Sequence, residues 1–544
     1  MERLTRRQLG VLLWASLALL SLLGLGRGLW TPDEPREAEI SREMRATPGM
    51  IPTLNGEPFL EKPPLYYWMV AGAFALGGGP SVQAARAVSG AAGFLTLVLL
   101  YLWGRRAYSV RAGILSALML ATSLQFLAST HWILIDPLLM LWTTAAAWAG
   151  WELLVNDGGP RFLPALYGAL VLALWTKGLI GPVLLCAGMG AYCALARAER
   201  PWKRVRPVWL VLALALGLAG IAVGLYFQGG PEALFEWGWV NHVGRFLNPR
   251  ETGHRAPLYY YLLALPTAVL PWLVPFGWSL TELFSRGSAR EEPARDRRAR
   301  LYNVSLWLGG FLVLSLSATK REIYLLPLLP PLFLEMGAAS ARALDASATR
   351  ESGAWVRASL WTQAVLCGLW GFVPAVALVI YHRSLGPAEA VGLALALACA
   401  AGGLVFTARK RQFEAGIFAV ASAAVFAIAS LAVVAPALER QKDMRPMARW
   451  GDSCLTPREP VYTLGSDETL LGVIPFVTHR RVVACGSDGS YGAPGAVHLP
   501  PSTFLLQEKG GIGKLPPVLS GYDLVQGQES GSRRRWSIWR RKGS

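Results

Sequence analysis

Apolar runs of membrane length recur through roughly the first 435 residues, and that repetition limits the fold more than any other feature of the chain. VLLWASLALLSLLGLGRGLW, near the start, is the first of them. Such runs reach the ~18–20 apolar residues that a helix needs to cross the hydrocarbon of a bilayer. Only 16% of the residues are charged, against roughly a quarter in soluble proteins. The expected fold class is therefore an all-α polytopic membrane protein. The first run has no small-x-small cleavage site and leads straight into charged residues, so it reads as an uncleaved span.

The net charge is +17, which raises the question of nucleic acid. The basic residues, however, sit in short clusters between apolar runs, as the positive-inside rule expects. No basic face interleaved with aromatics is present, so nucleic acid is excluded as a partner. The clusters at Arg3–Arg7, Arg105–Arg111, Arg197–Arg206, Arg286–Arg300, Arg350–Arg357 and Arg409–Arg411 are all expected on the cytoplasmic side. An even number of crossings must then separate them. The short apolar segment Pro63–Gly79 breaks that parity if it spans, so it is laid in the outer interface, where Tyr and Trp belong. The spans fall at about 9–29, 83–104, 111–129, 136–154, 162–176, 179–196, 206–227, 258–284, 301–318, 322–342, 358–381, 388–407 and 413–435, about thirteen in all. An odd count puts the C-terminal tail outside. The expected organisation is a transmembrane domain over 1–435, with juxtamembrane helices in an outer loop at 30–82, and a soluble periplasmic domain over 436–544.

That tail is polar, with strand-like runs at PVYTL, RVVAC, TFLLQ and RWSIW and a helix-like run around DETLLGVIPFV. It predicts a small α/β domain. Cys186, Cys193, Cys367 and Cys399 lie in spans, where a thiol packs as a small apolar group. Cys454 and Cys485 lie in the exported tail, where a disulfide and two free thiols are both open.

The polar residues of interest collect on the outer face. TPDEPREAEISREM, directly after the first span, places Pro35 in the first turn of a helix that Asp33 or Glu34 can cap. Arg36, Glu39 and Glu43 then share one side. A carboxylate such as Asp33, just outside the membrane, can serve as a base or orient a donor; a solvated loop helix is the plain alternative. In NGEPFLEKPPLYYWM, Glu61 and Lys62 are neighbours whose side chains are expected to diverge, leaving Lys62 for a phosphate and Glu61 for a metal. Asp136, before Pro137, either caps its helix or acts chemically. Lys177, in LWTKGLIGP, either snorkels or binds an anion. His254 can be a metal ligand, a proton carrier or an interfacial group. Lys320, Arg321 and Tyr324, in SATKREIYLLPLLPP, stand at another outer boundary, against the positive-inside bias, and an anionic ligand is the simplest reason. Cations beside hydrocarbon suit an amphiphile with an anionic head and a greasy tail, such as a polyprenyl-phosphate sugar.

DEPREAEISREM followed by IPTLNGEPFLEKPPLYYWM resembles the first outer loop of the bacterial aminoarabinose transferases, within the protein O-mannosyltransferase-like GT-C class of membrane glycosyltransferases. The likeness continues through ARAVSGAAGFLTLVLLYLWGRRAYS, ALWTKGLIGP, WVNHVGRFL with GHRAPLYYYL, and SATKREIYLLPLLPP, over roughly residues 10 to 340. The resemblance implies a GT-C fold with about thirteen spans and a small periplasmic C-terminal domain. It also implies an inverting transfer of aminoarabinose or a related sugar from undecaprenyl phosphate to lipid A or another periplasmic-face acceptor, in the bacterial inner membrane, by a monomer. Carried over by position, Asp33 and Asp136 are catalytic. Arg36, Lys62, Lys177, Lys320, Arg321 and Tyr324 attend the donor phosphate. Glu61 and His254 hold a divalent metal ion, with zinc the named candidate.

Two rivals stand beside this reading: a flippase of lipid-linked sugars, and a protein O-mannosyltransferase-like enzyme. A flippase needs ionisable or helix-breaking residues deep in its spans, whereas these spans read as clean.

Overall fold

A computed structural model describes residues 25–197, 200–244, 256–284, 293–345, 442–455, 460–464, 468–485, 503–508, 522–530 and 534–542, with isolated positions elsewhere. The chain divides into two compact units. One comprises 1–23, 60–66 and 86–433; the other comprises 24–59, 67–85 and 434–544.

The acidic stretch forms helix α1, Asp33–Ala46. It starts one step earlier than a cap at Asp33 or Glu34 requires: Pro32 holds the cap position, without a side-chain bond, and both carboxylates lie inside the first turn. The plain alternative, a solvated loop helix, fails as well, because Asp33, Glu34, Glu37 and Glu39 are all buried. Internal ion pairs make that burial tolerable. A tight hairpin follows, β1 Thr53–Leu54 and β2 Glu57–Pro58. Its two turn residues, Asn55 and Gly56, both have positive φ, as a two-residue hairpin turn of the Asn-Gly kind requires. Next comes α2, Leu65–Leu76. At twelve residues it is about 18 Å long, short of the ~30 Å hydrocarbon layer.

The larger unit is helical. Its elements are α3 (Val82–Ala107), α4 (Val110–Ala121), α5 (Leu124–Thr130), α6 (Asp136–Leu154), α7 (Leu163–Lys177), α8 (Ile180–Leu195), α9 (Pro207–Phe235), α10 (Tyr260–Ala268), α11 (Leu273–Phe284), α12 (Ala294–Leu316) and α13 (Leu329–Asp345). Among the described residues four helical stretches are long and apolar enough to cross a membrane: Val82–Ala107, Pro207–Asn241, Ala294–Leu316 and Glu322–Leu344. The α4–α5 pair, bent by 63°, makes a fifth if it is one broken span. Helices α7 and α8 fill two other expected spans but have only 15 and 16 residues. The expected span 258–284 is two helices, α10 and α11. Apart from isolated positions, the three spans expected over 358–435 lie outside the described residues, as does most of the first.

The core of this unit is aromatic. Tyr302 is fully buried, donates to the Ala147 carbonyl at 2.9 Å and meets the Tyr192 ring edge-on at 5.3 Å. The spans are less clean than the sequence suggests. Glu335 in α13 is buried and accepts from Asn303 at 2.7 Å and from the Tyr108 hydroxyl. A carboxylate is tolerated there because donors meet it.

The C-terminal part of the smaller unit contains α14 (Arg445–Cys454), β3 (Val461–Leu464), α15 (Glu468–Thr478), β4 (Val482–Cys485), β5 (Thr503–Glu508), β6 (Tyr522–Ser530) and β7 (Arg534–Arg541). The strands form one mixed sheet in the order β4-β3-β5-β7-β6. Strands β3 and β4 run parallel, joined through α15, whereas β5–β7 and β6–β7 are antiparallel. The four strand-like runs and the helix-like run are all present, and β6 is a strand the pattern did not single out. The side chain of Cys485 lies outside the described residues, and with it the question of a disulfide to Cys454.

Candidate active site

In the larger unit Asp136, Lys177 and Tyr324 meet. Asp136 opens α6 and does not cap it, since Ile135 holds the cap position and Pro137 follows in the first turn. Its carboxylate faces Lys177, the last residue of α7, with Nζ 2.5 Å from Oδ1. Both side chains are about nine-tenths buried, at 12% and 8% exposure. Lys177 therefore does not snorkel. Its ammonium also sits 4.6 Å from the centre of the Tyr324 ring, a cation–π contact that strengthens away from water. An ammonium has three donors, and among the described residues Asp136 is the one polar group that Lys177 addresses.

Four residues before Tyr324 lies Lys320, in the break between α12 and the 3-10 turn Glu322–Leu328. It is 4% exposed. Its Nζ donates to the Ser317 carbonyl, and among the described residues no carboxylate accompanies it. Burial pulls its pKa below the usual lysine value. The neighbouring Thr319 hydroxyl is buried without a hydrogen-bond partner among the described residues. A buried cation beside an unmet hydroxyl is costly unless an anion arrives. Arg321 begins the same turn, and its carbonyl accepts from the Tyr324 amide at 3.0 Å.

Glu61 and Lys62, also in this unit, do not diverge as expected. Lys62 Nζ lies 3.7 Å from Glu61 Oε2, with both side chains about one-fifth exposed. The flexible stems of the two side chains bring neighbouring charges back together. His254 lies outside the described residues.

In the smaller unit Asp33 and Arg36 bond to each other, Nη2 to Oδ1 at 3.2 Å. The same guanidinium takes Glu37 at 2.7 Å and also Glu468 of α15. Three carboxylates thus surround Arg36. Glu39, further along α1, is gripped in a fork by Arg42 at 2.6 and 2.7 Å. Burial nevertheless pushes its carboxyl from 4.5 up to about 8. Glu43 closes the hairpin, accepting from the Thr53 hydroxyl at 2.5 Å and the Gly56 amide at 3.0 Å.

The described residues do not test the metal expectation. Of its two ligands Glu61 alone is described, and one of its oxygens faces Lys62. Among the described residues no three His, Cys, Asp or Glu side chains gather as a cage. Glu61 supplies a carboxylate oxygen of the kind a divalent ion accepts, and any further ligand would come from outside the described residues.

The family described as "Dolichyl-phosphate-mannose-protein mannosyltransferase" matches residues 14–230. An undecaprenyl phosphate-alpha-4-amino-4-deoxy-L-arabinose arabinosyl transferase of Serratia proteamaculans is 31% identical over 388 residues, which span 69% of this chain and 66% of that one. Its counterpart in Edwardsiella ictaluri is 30% identical over 337 residues, spanning 59% of this chain and 58% of that one. The match thus covers about three-fifths to two-thirds of these relatives' length. Among solved structures, ArnT from Cupriavidus metallidurans bound to undecaprenyl phosphate superposes with a TM-score of 0.75 at 19% identity, over 97% of this chain and 98% of that one. The same protein in the apo state gives 0.74. This helical fold, with this family match, is of the GT-C class that the ArnT structures share. Within that class the chain belongs to the aminoarabinose transferase family.

Proposed function

We propose that the chain transfers a sugar, aminoarabinose or a close relative, from undecaprenyl phosphate to lipid A or another acceptor on the periplasmic face of the bacterial inner membrane. The relatives' names and the ArnT-like fold support the class of reaction. The observation that carries the reading is the Lys320 ammonium, buried and lacking a carboxylate among the described residues. A stable protein bears that cost where the charge meets an anionic ligand. A lipid-linked phosphate, held where hydrocarbon meets water, is such a ligand.

In this reading Lys320, Arg321 and Tyr324, with Lys177 and Lys62, neutralise the donor phosphate, and Arg36 attends it too. The acceptor oxygen attacks the anomeric carbon on the face opposite the phosphate. The C1–O bond breaks, and undecaprenyl phosphate leaves with the electron pair. Charge on the departing phosphate grows as that bond lengthens, so fixed cations in a dry site stabilise the transition state more than the ground state. Asp33 takes the proton of an alcohol acceptor; with a phosphate acceptor, already anionic, it orients instead. Asp136 holds Lys177 in place. A divalent ion at Glu61 and His254 belongs to the same proposal and would add Lewis-acid stabilisation of the leaving phosphate. So do about thirteen spans, a monomeric state and an exported C-terminal α/β domain.

The test is transfer from radiolabelled undecaprenyl-phosphate aminoarabinose to lipid A by the full chain in vesicles. Lys320→Met is expected to raise the donor KM at least tenfold. Asp33→Asn, Glu61→Ala and Lys62→Ala are each expected to abolish transfer while the protein stays inserted. Normal activity in all four rejects the reading. Label that only changes leaflet makes the protein a transporter.

A further inference from the structure

Helix α15 lies some 430 residues beyond α1 in sequence and outside the matched family segment, residues 14–230. Both belong to the smaller unit. One face of α15, at positions i, i+1 and i+4, grips the start of α1 through three separate contacts. Glu468 reaches the Arg36 guanidinium, which in turn holds Asp33 at 3.2 Å. The Thr469 hydroxyl lies 3.1 Å from that of Thr31, both buried. Gly472 lies against the backbone of residues 35 and 36, so closely that a Cβ there would sit 2.6 Å from the Arg36 nitrogen and overlap the Pro35 carbonyl.

These contacts are of different kinds, and they act on successive residues around one carboxylate. The backbone contact fixes where α1 begins. The hydroxyl pair fixes the residue before cis Pro32. The ion pair fixes the rotamer of Arg36, and through it that of Asp33. Glu468 is half exposed while Arg36 is buried, so its charge is not spent on filling a core. A side chain placed like this adds little to stability but can set geometry to within the fraction of an ångström on which catalysis depends.

We propose that α15 is a positioning element of the active site, whose Glu468, Thr469 and Gly472 hold the Asp33–Arg36 pair in its working geometry; this rests on the reading that Asp33 serves the transfer. The C-terminal α/β fold then supplies part of the catalytic arrangement without touching the reacting atoms.

The experiment uses the full chain, the undecaprenyl-phosphate aminoarabinose and lipid A assay, and amide hydrogen exchange over residues 33–46. Glu468→Gln is expected to lower kcat at least tenfold, with any rise in donor KM coming through Arg36. Glu468→Asp, which keeps the charge, is expected to restore most of kcat. Gly472→Ala is expected to lose both kcat and exchange protection across 33–46. Wild-type kcat in both Glu468→Gln and Gly472→Ala overturns the proposal, as does a loss that appears only in donor KM. If Gly472→Ala does not fold, the Glu468 pair decides alone. If the wild type transfers nothing, the functional reading fails by itself, and exchange still decides: undiminished protection of 33–46 in both variants overturns the positioning role.

Discussion

Glu39 has no exposed surface, yet among the described residues its one close counter-charge is Arg42, on the same turn of α1. Burial raises its carboxyl from 4.5 to about 8, with the Glu43 charge adding to the shift. Between those two values the folded protein holds a proton that the unfolded chain has released. Stability from this group is therefore complete below pH 4.5 and is lost as pH rises toward 8. Protection of the α1 amides, corrected for intrinsic exchange, is expected to fall between pH 6 and 8 by on the order of 1 kcal/mol per unit. Glu39→Gln should flatten that dependence, and an unchanged slope in the variant would clear Glu39 of the effect. At this scale the sequence announced the charges but not their pairing. Arg36, Glu39 and Glu43 do share a side of the helix, but they serve three different neighbours: Glu468, Arg42 and the hairpin.

The elements show how two helix ends make a site. Helix α6 begins with Asp136 and α7 ends with Lys177, so a carboxylate at an N-terminus faces an ammonium at a C-terminus, each favoured by its own helix dipole. The pair is too buried for either charge to stand alone. Asp136→Ala is expected to destabilise the protein by about 3–5 kcal/mol, because Lys177 is left uncompensated. Asp136→Ala combined with Lys177→Met should recover most of that loss, read as thermal unfolding in detergent. Additive losses in the double variant would show that the two residues act independently. Asn55 makes the same point in the smaller unit. The Asn-Gly pair is a local hairpin signal that the sequence carries by itself. The Asn55 amide exchanges two hydrogen bonds with Val482 of β4, at 2.7 and 2.8 Å, a contact that no local pattern announces.

At the scale of the whole molecule the proposed topology has a direct test. On a background lacking the six native cysteines, Leu524→Cys in β6 should react with a membrane-impermeant maleimide in spheroplasts. Val110→Cys, at the start of α4, should react only after permeabilisation; both positions are solvent-exposed. Labelling in the reverse order would invert the topology and move the C-terminal sheet to the cytoplasm. The two compact units also do not follow chain order. The acidic first loop, expected within the transmembrane domain, clusters with the tail that begins near residue 434.

The sequence by itself determined the class of molecule. Apolar length, clustered cations and alternating strand patterns depend on transfer free energies and local backbone geometry, which each segment carries alone. Where charges end up depends on partners hundreds of residues away. That Lys320 lacks a carboxylate among the described residues, that Lys177 has one, and that Glu468 and Gly472 reach the helix of Asp33 was decided only by the tertiary structure. Electrostatic and packing energies act through space, and the order of residues along a chain does not record them.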